Sequence, residues 1–111
     1  MSQKPLGPFT VTISDVATGL QSSSPMPAAI RFLKTREIKV TIPTYASGAT
    51  LTFSIIDRQG IVRYSITGLL KATSPIILVE RTLWEGYTFG ITPSIATGTA
   101  ITVSIYPDCE P

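Results

Sequence analysis

The stretch LTFSIIDRQGIVRYSI, residues 51–66, decides the fold class. Apolar and polar side chains alternate on either side of an Asp-x-x-Gly tetrapeptide, and a period of two places successive side chains on opposite faces of a strand. With Asp57–Gly60 as a four-residue loop, antiparallel pairing sets Ile55 against Val62, Phe53 against Tyr64 and Leu51 against Ile66 on one face. Ser54 against Arg63 and Thr52 against Ser65 occupy the other, and every pair agrees in polarity. Such loops are built most often on a type I turn, which prefers Gly at its fourth position and Asp at its first, where the carboxylate bonds the backbone ahead of it. Asp57 therefore has a structural role that needs no ligand. One pair is left over: Ile56 and Ile61 fall on the polar face beside the turn, unless a bulge rotates them inward.

The segment TFGITPSIATGTAITVSI, residues 88–105, reads the same way. Taking Ala96-Thr97-Gly98 as a three-residue loop that ends in the left-handed conformation open to Gly98, Ile91 pairs with Val103, Phe89 with Ile105, Pro93 with Ile101 and Thr92 with Thr102. FTVTI at 9–13 and REIKVTI at 36–42 alternate as strands, the latter with Ile38, Val40 and Ile42 on one face; PIILV at 75–79 is a short apolar strand, and AAIRFLK at 28–34 fits either a helix or a strand. TGLQSSSPMP at 18–27 and PTYASG at 43–48 are loop material. The expectation is an all-β chain, a single antiparallel sandwich of about seven strands over residues 9–106. A flexible N-terminal arm at 1–8, carrying Pro5, Gly7 and Pro8, and a C-terminal tail at 107–111 flank it.

A chain of 111 residues is long enough for one domain with a real core. Charged residues make up 14%, against about 25% in an average soluble protein. A surface so poor in charge does little to keep copies apart, which suits a chain covered by partners. The net charge of +2 is far from that of a dedicated nucleic-acid binder. Arg31, Lys34, Arg36 and Lys39 do cluster, interrupted by Glu37, and read either as a solvated strand entrance or as a site for an anionic partner. The opening MSQKPLGPF lacks the apolar run of a secretory signal, and no apolar stretch approaches the length of a membrane span. Cys109 is the lone cysteine, so no internal disulfide forms.

Chemistry is scarce. Without His there is no imidazole base, no Ser-His or Cys-His nucleophile and no His metal site. There is no Asn, Asp15, Asp57 and Asp108 are scattered, and no Gly-rich phosphate loop occurs, so neither a calcium site nor any cofactor is expected. One carboxylate pair remains, Glu80 and Glu85 flanking RTLW, which would suit glycoside hydrolysis across a cleft with Trp84 as stacking platform. Read as a turn, the same residues are two solvated charges and a core cap.

FSIIDRQGIVRYSI followed by LWEGYTFGI at 83–91 resembles immunoglobulin-like modules, in which a D-x-x-G hairpin precedes a G-x-Y entry into a late core strand. The resemblance implies an immunoglobulin-like sandwich with Tyr87 as the tyrosine corner, its hydroxyl bonding backbone upstream, and Phe89 where many members carry Cys. In its brevity, low charge and richness in Ile and Thr the chain is also similar to small structural proteins of tailed-phage virions, such as capsid decoration and connector proteins. Those likenesses imply a non-catalytic virion protein that binds copies of itself and coat proteins, with no nucleic acid or membrane as partner. Ile56 and Ile61 would be its contact, and Arg58 and Arg63 the polar rim. The alternative is a carbohydrate- or cell-surface-binding module whose recognition residues include Tyr45 and Trp84.

Overall fold

Alternating apolar residues produce nine strands among the residues that the computed structural model describes, 4–5, 8–14, 19–23, 25 and 32–110. They are β1 (Lys4–Pro5), β2 (Phe9–Ile13), β3 (Gln21–Ser22), β4 (Phe32–Thr41), β5 (Leu51–Ile56), β6 (Val62–Leu69), β7 (Ile76–Trp84), β8 (Thr88–Pro93) and β9 (Ile101–Glu110). β1 and β3 have two residues each, which leaves seven of five residues or more. In one sheet β9 pairs with β4, β4 with β7, and the other side of β9 takes β1 and β2 in tandem; the second sheet runs β3-β8-β5-β6. All pairings are antiparallel.

The antiparallel sandwich is as expected, but its connectivity is not immunoglobulin-like. From β2 to β9 the chain places its first, eighth, third and sixth strands in one sheet and its second, seventh, fourth and fifth in the other, the path of a jelly roll. An immunoglobulin-like module keeps its last two strands side by side in one sheet. Here β8 pairs with β5, setting Ile91 against Phe53 and Phe89 against Ile55, while β9 pairs with β2 and β4, setting Val103 against Val11 and Ile105 against Phe9 and Val40. The expected β8–β9 hairpin does not form; the two strands belong to opposite sheets. Gly98 does adopt a left-handed φ of 81°, but the turn it serves carries the chain from one sheet to the other.

The β5–β6 hairpin does form, with a different register. Ile55 faces Tyr64, Ser54 faces Ser65 and Phe53 faces Ile66, whereas Ile56 faces Val62, so Arg63 is an extra residue on β6. A second irregularity lies between the Phe53 and Leu51 pairs, where Gly68 has a φ of 82°. The bulge at Arg63 removes the Ile56–Ile61 pair: Ile56 is 4% exposed and Ile61 51%. Ile56 is thus corrected from a surface residue to a buried one.

The strands also reach beyond the segments read from sequence. β4 begins at Phe32, so residues 32–34 are strand, while 28–31 lie outside the described residues. β7 runs through RTLW, which is therefore not a turn. β9 continues to Glu110, its last residues paired with β4 and β1, where a tail from 107 was expected. Lys4–Pro5 of the expected arm joins the sheet; the other arm residues up to Gly7 lie outside the described set.

Between the sheets lies one apolar core to which Ile38, Val40 and Ile42 contribute, on the face expected of them. At its centre the Phe89 ring stacks on Phe53, centroids 5.9 Å apart, and meets Phe9 edge-on at 5.1 Å. Each such side chain fully buried stabilises the fold by about 1.5–3 kcal/mol. Thr35 is the polar exception. The register of β4 against β7 slips between Thr35 and Glu37, and the buried Thr35 hydroxyl donates to the Val79 carbonyl at 2.9 Å, with the Arg81 carbonyl at 3.3 Å, across the irregularity.

Candidate functional site

Six residues, nominated by sequence for different reasons or for none, meet at one end of the sandwich. Asp57, Arg58, Gln59 and Arg63 from the β5–β6 tip, with Trp84 and Tyr87 from the end of β7 and the turn after it, line a cleft of about 330 Å³. Strand alternation explains Trp84: Leu83 points into the core, so the next side chain points out and is 47% exposed. The turn is closed by the Tyr87 N–H donating to the Trp84 carbonyl at 3.2 Å, with Gly86 at a φ of 83°. Gly86 also makes room for Arg58. A Cβ there would lie 2.5 Å from Arg58 Cγ and 2.8 Å from Cδ, so the arginine stem rests on glycine backbone.

The Asp57 turn is built as the sequence implies. Gly60 N–H donates to the Asp57 carbonyl at 3.1 Å, and Asp57 Oδ1 accepts the Gln59 and Ile61 N–H groups, each at 2.9 Å. The other oxygen, Oδ2, accepts Arg63 Nε at 2.7 Å. The Ile61 N–H first, then the Arg63 bond and the Gln59 N–H, hold the Asp57 carboxyl below the usual carboxylate range, against the opposing effect of burial. Both oxygens are thus occupied by the turn itself. Arg58 makes no ion pair among the described residues, and Arg63, which meets Asp57 through Nε, is half exposed. The cleft is consequently rich in hydrogen-bond donors and carries a positive balance beside two aromatic rings.

A second feature runs along the side of the sandwich where β6 and β7, the last strands of their sheets, lie together; Arg81 of β7 stands over the Tyr64 ring of β6 at 5.5 Å. Eight large hydrophobic side chains are exposed among the described residues, and six of them (Ile61, Val62, Leu70, Ile76, Leu78 and Trp84) fall between residues 61 and 84. Leu78 is the most exposed, at 78%. Next to it, Lys34, Thr35, Arg36, Glu80, Arg81 and Thr82 line a polar cleft of about 530 Å³ over the β4–β7 irregularity. Lys34 and Arg36 of the basic run are therefore brought together, Lys39 is exposed further along β4, and Arg31 lies outside the described residues.

Other nominated residues go elsewhere. Tyr45 is corrected from a recognition residue to a structural one: it is buried, its hydroxyl donates to the Ala49 carbonyl, and Lys71 bonds its carbonyl at 3.1 Å and that of Ser47 at 3.1 Å. Burial raises its phenol above the ordinary tyrosine range. Because RTLW is strand, Glu80 and Glu85 are separated by a rise of roughly 15 Å, far beyond a glycosidase pair, and only Glu80 lines the polar cleft. Tyr87 packs partly buried against the core, but its hydroxyl bonds no described residue, so no tyrosine corner is built among the described residues. The meeting of Trp84 with Arg58 and Arg63 was not read from the sequence. The signals were there separately, in a turn glycine beside a Trp and a turn Asp beside two Arg.

No protein-family model matches the chain, and no curated protein matches it. Solved structures do resemble it. Against the structure of infectious bursal disease virus Gx strain the identity is 16% and the TM-score 0.39, covering 97% of this chain and 33% of that one. For the VP2 subviral particle of the same virus the values are 13% and 0.33, with 97% and 32% covered. For a family two carbohydrate esterase from Cellvibrio japonicus they are 8% and 0.46, with 99% and 34% covered. The chain thus spans about a third of the length of each of these proteins. It is a small all-β sandwich whose structural neighbours include viral capsid proteins and a carbohydrate esterase.

Proposed function

We propose that the chain is a non-catalytic structural protein of a virion, a capsid decoration or head/tail connector protein of a tailed phage, that works through contacts with copies of itself and with coat proteins. The observation that carries this reading is the side formed by β6 and β7: two edge strands that no other described strand covers, which with their flanking turns carry six of the eight large hydrophobics exposed among the described residues, on a chain with only 14% charged residues. An open edge offers unpaired backbone groups to another strand, and apolar side chains beside it add burial to the hydrogen bonds. Ile61, Arg58 and Arg63 stand at the tip end of this side and take part in the contact, while Ile56 supports it from within. Sedimentation velocity of the purified protein and of Leu78→Lys tests the reading. A wild type that self-associates, or that binds purified coat protein, and a folded variant that does neither are expected; a wild type that stays monomeric and ignores coat protein refutes it.

A second reading, a carbohydrate- or cell-surface-binding module, is favoured by the half-exposed Trp84 in the tip cleft. Binding on a glycan array that is lost in Trp84→Ala supports it.

A further inference from the structure

The polar groups of the tip cleft are unbalanced. Both oxygens of its one carboxylate, Asp57, are taken by the Gln59 and Ile61 N–H groups and by Arg63 Nε. The other residues that line the cleft are Arg58, the half-exposed Arg63, Gln59, Tyr87 and the half-exposed Trp84. A neutral sugar presents many hydroxyl donors and needs acceptors to meet them, but arginine offers none, glutamine one oxygen and the Tyr87 phenol one. A carboxylate needs donors alone, and guanidinium groups fit it in planar, charge-assisted pairs. The volume of about 330 Å³ is near the small end of the roughly 300–1,000 Å³ usual for ligand sites, which suits one ring and not a long chain.

We propose that the tip cleft binds an acidic sugar, a pyranose ring bearing a carboxylate, with the ring laid on the Trp84 face and the carboxylate held by Arg58 and Arg63. The inference rests on the second reading above, in which Arg58 and Arg63 serve a ligand and not the assembly contact. Gly86 sets the geometry, because only its bare backbone lets the Arg58 stem lie close enough to the turn for its guanidinium to reach the cleft beside Trp84. An acidic peptide matches the two arginines but leaves the flat indole face without a rigid partner. A stiff ring with one C–H face uses both at less cost in conformational entropy.

Trp84 is the sole tryptophan, so intrinsic fluorescence reports on this cleft directly. The protein is titrated with methyl β-D-glucuronide, methyl β-D-glucoside, sodium acetate and a Glu-rich peptide. Saturable change with the glucuronide in the millimolar range or below is expected, with the glucoside about 10- to 100-fold weaker, as the loss of charge-assisted hydrogen bonds implies. Arg58→Gln, an exposed position, should bring the two sugars to similar affinity while leaving the unfolding midpoint unchanged. Equal binding of glucoside and glucuronide by the wild type overturns the acidic preference and leaves the carbohydrate reading standing. No binding of either sugar overturns both. Acetate or the peptide binding as tightly as the glucuronide also overturns the proposal, the peptide result assigning the cleft to an acidic protein partner.

Discussion

Replacing Ile56 and Ile61 separately with Thr distinguishes the bulged hairpin from a regular one. Thr keeps the strand propensity at both positions, so backbone preference is held nearly constant. At Ile56, 4% exposed and opposite Val62, the change removes the end of a buried side chain, about 0.8 kcal/mol for each methylene-sized group. It also buries a hydroxyl that has no prepared partner, about 1–3 kcal/mol. Together these put the loss for Ile56→Thr at about 2–4 kcal/mol. At Ile61, already 51% exposed, the same change falls within about 0.5 kcal/mol, as for other surface substitutions. Equilibrium urea unfolding measures both, provided the slope with denaturant stays constant so that the midpoint shift reports stability. Equal losses, or an Ile56→Thr protein as stable as the wild type, would show that the Arg63 bulge and the burial it causes are wrong.

Three further outcomes follow from the same geometry. Asp57 has a folded-state carboxyl depressed by the Ile61 N–H, Arg63 and the Gln59 N–H; its stabilisation is complete above the unfolded carboxylate value of about 3.9 and is lost as pH falls through the folded value, so Asp57→Asn should flatten the decline in urea midpoint below about pH 4. Gly86→Ala should destabilise more than Gly60→Ala, because both pay about 1–2 kcal/mol for a left-handed residue but only position 86 also displaces Arg58; equal melting temperatures in the two variants would contradict the packing of that side chain. Thr35→Val should cost about 1–3 kcal/mol by leaving the Val79 and Arg81 carbonyls without their buried donor, and calorimetry showing no change would mean the β4–β7 irregularity closes without the hydroxyl.

Side-chain alternation made the sandwich legible and concealed its wiring. In β5 and β8 the inward residues are Phe53, Ile55, Phe89 and Ile91, and any partner strand with the same polarity pattern satisfies them. Alternation says which face a residue takes but not which strand lies beside it, so β9 matched β8 on paper while joining β4 in the fold. Bulges are hidden for a related reason. An extra residue at Arg63 leaves the polarity match intact, because beyond it each β5 residue meets a partner two further along β6: Ile55 takes Tyr64 for Val62, Ser54 takes Ser65 for Arg63, and Phe53 takes Ile66 for Tyr64. The Asp57 turn was legible because Asp and Gly act locally. The cleft was not, since Arg58 and Trp84 are far apart in sequence and meet only because β7 runs on past PIILV to end beside the hairpin tip.

Those irregularities also bear on how the protein tolerates two edge strands that no other described strand covers. Indefinite edge-to-edge stacking, the route to fibres, requires long stretches of evenly spaced backbone groups. Along β6 the regular run is three residues, Tyr64–Ile66, between the extra Arg63 and the break near Gly68. Along β7 it is three residues, Ile76–Leu78, before the slip, and four, Arg81–Trp84, after it. Each flank can hold a short strand of a chosen neighbour, but neither offers a template on which copies could add without end.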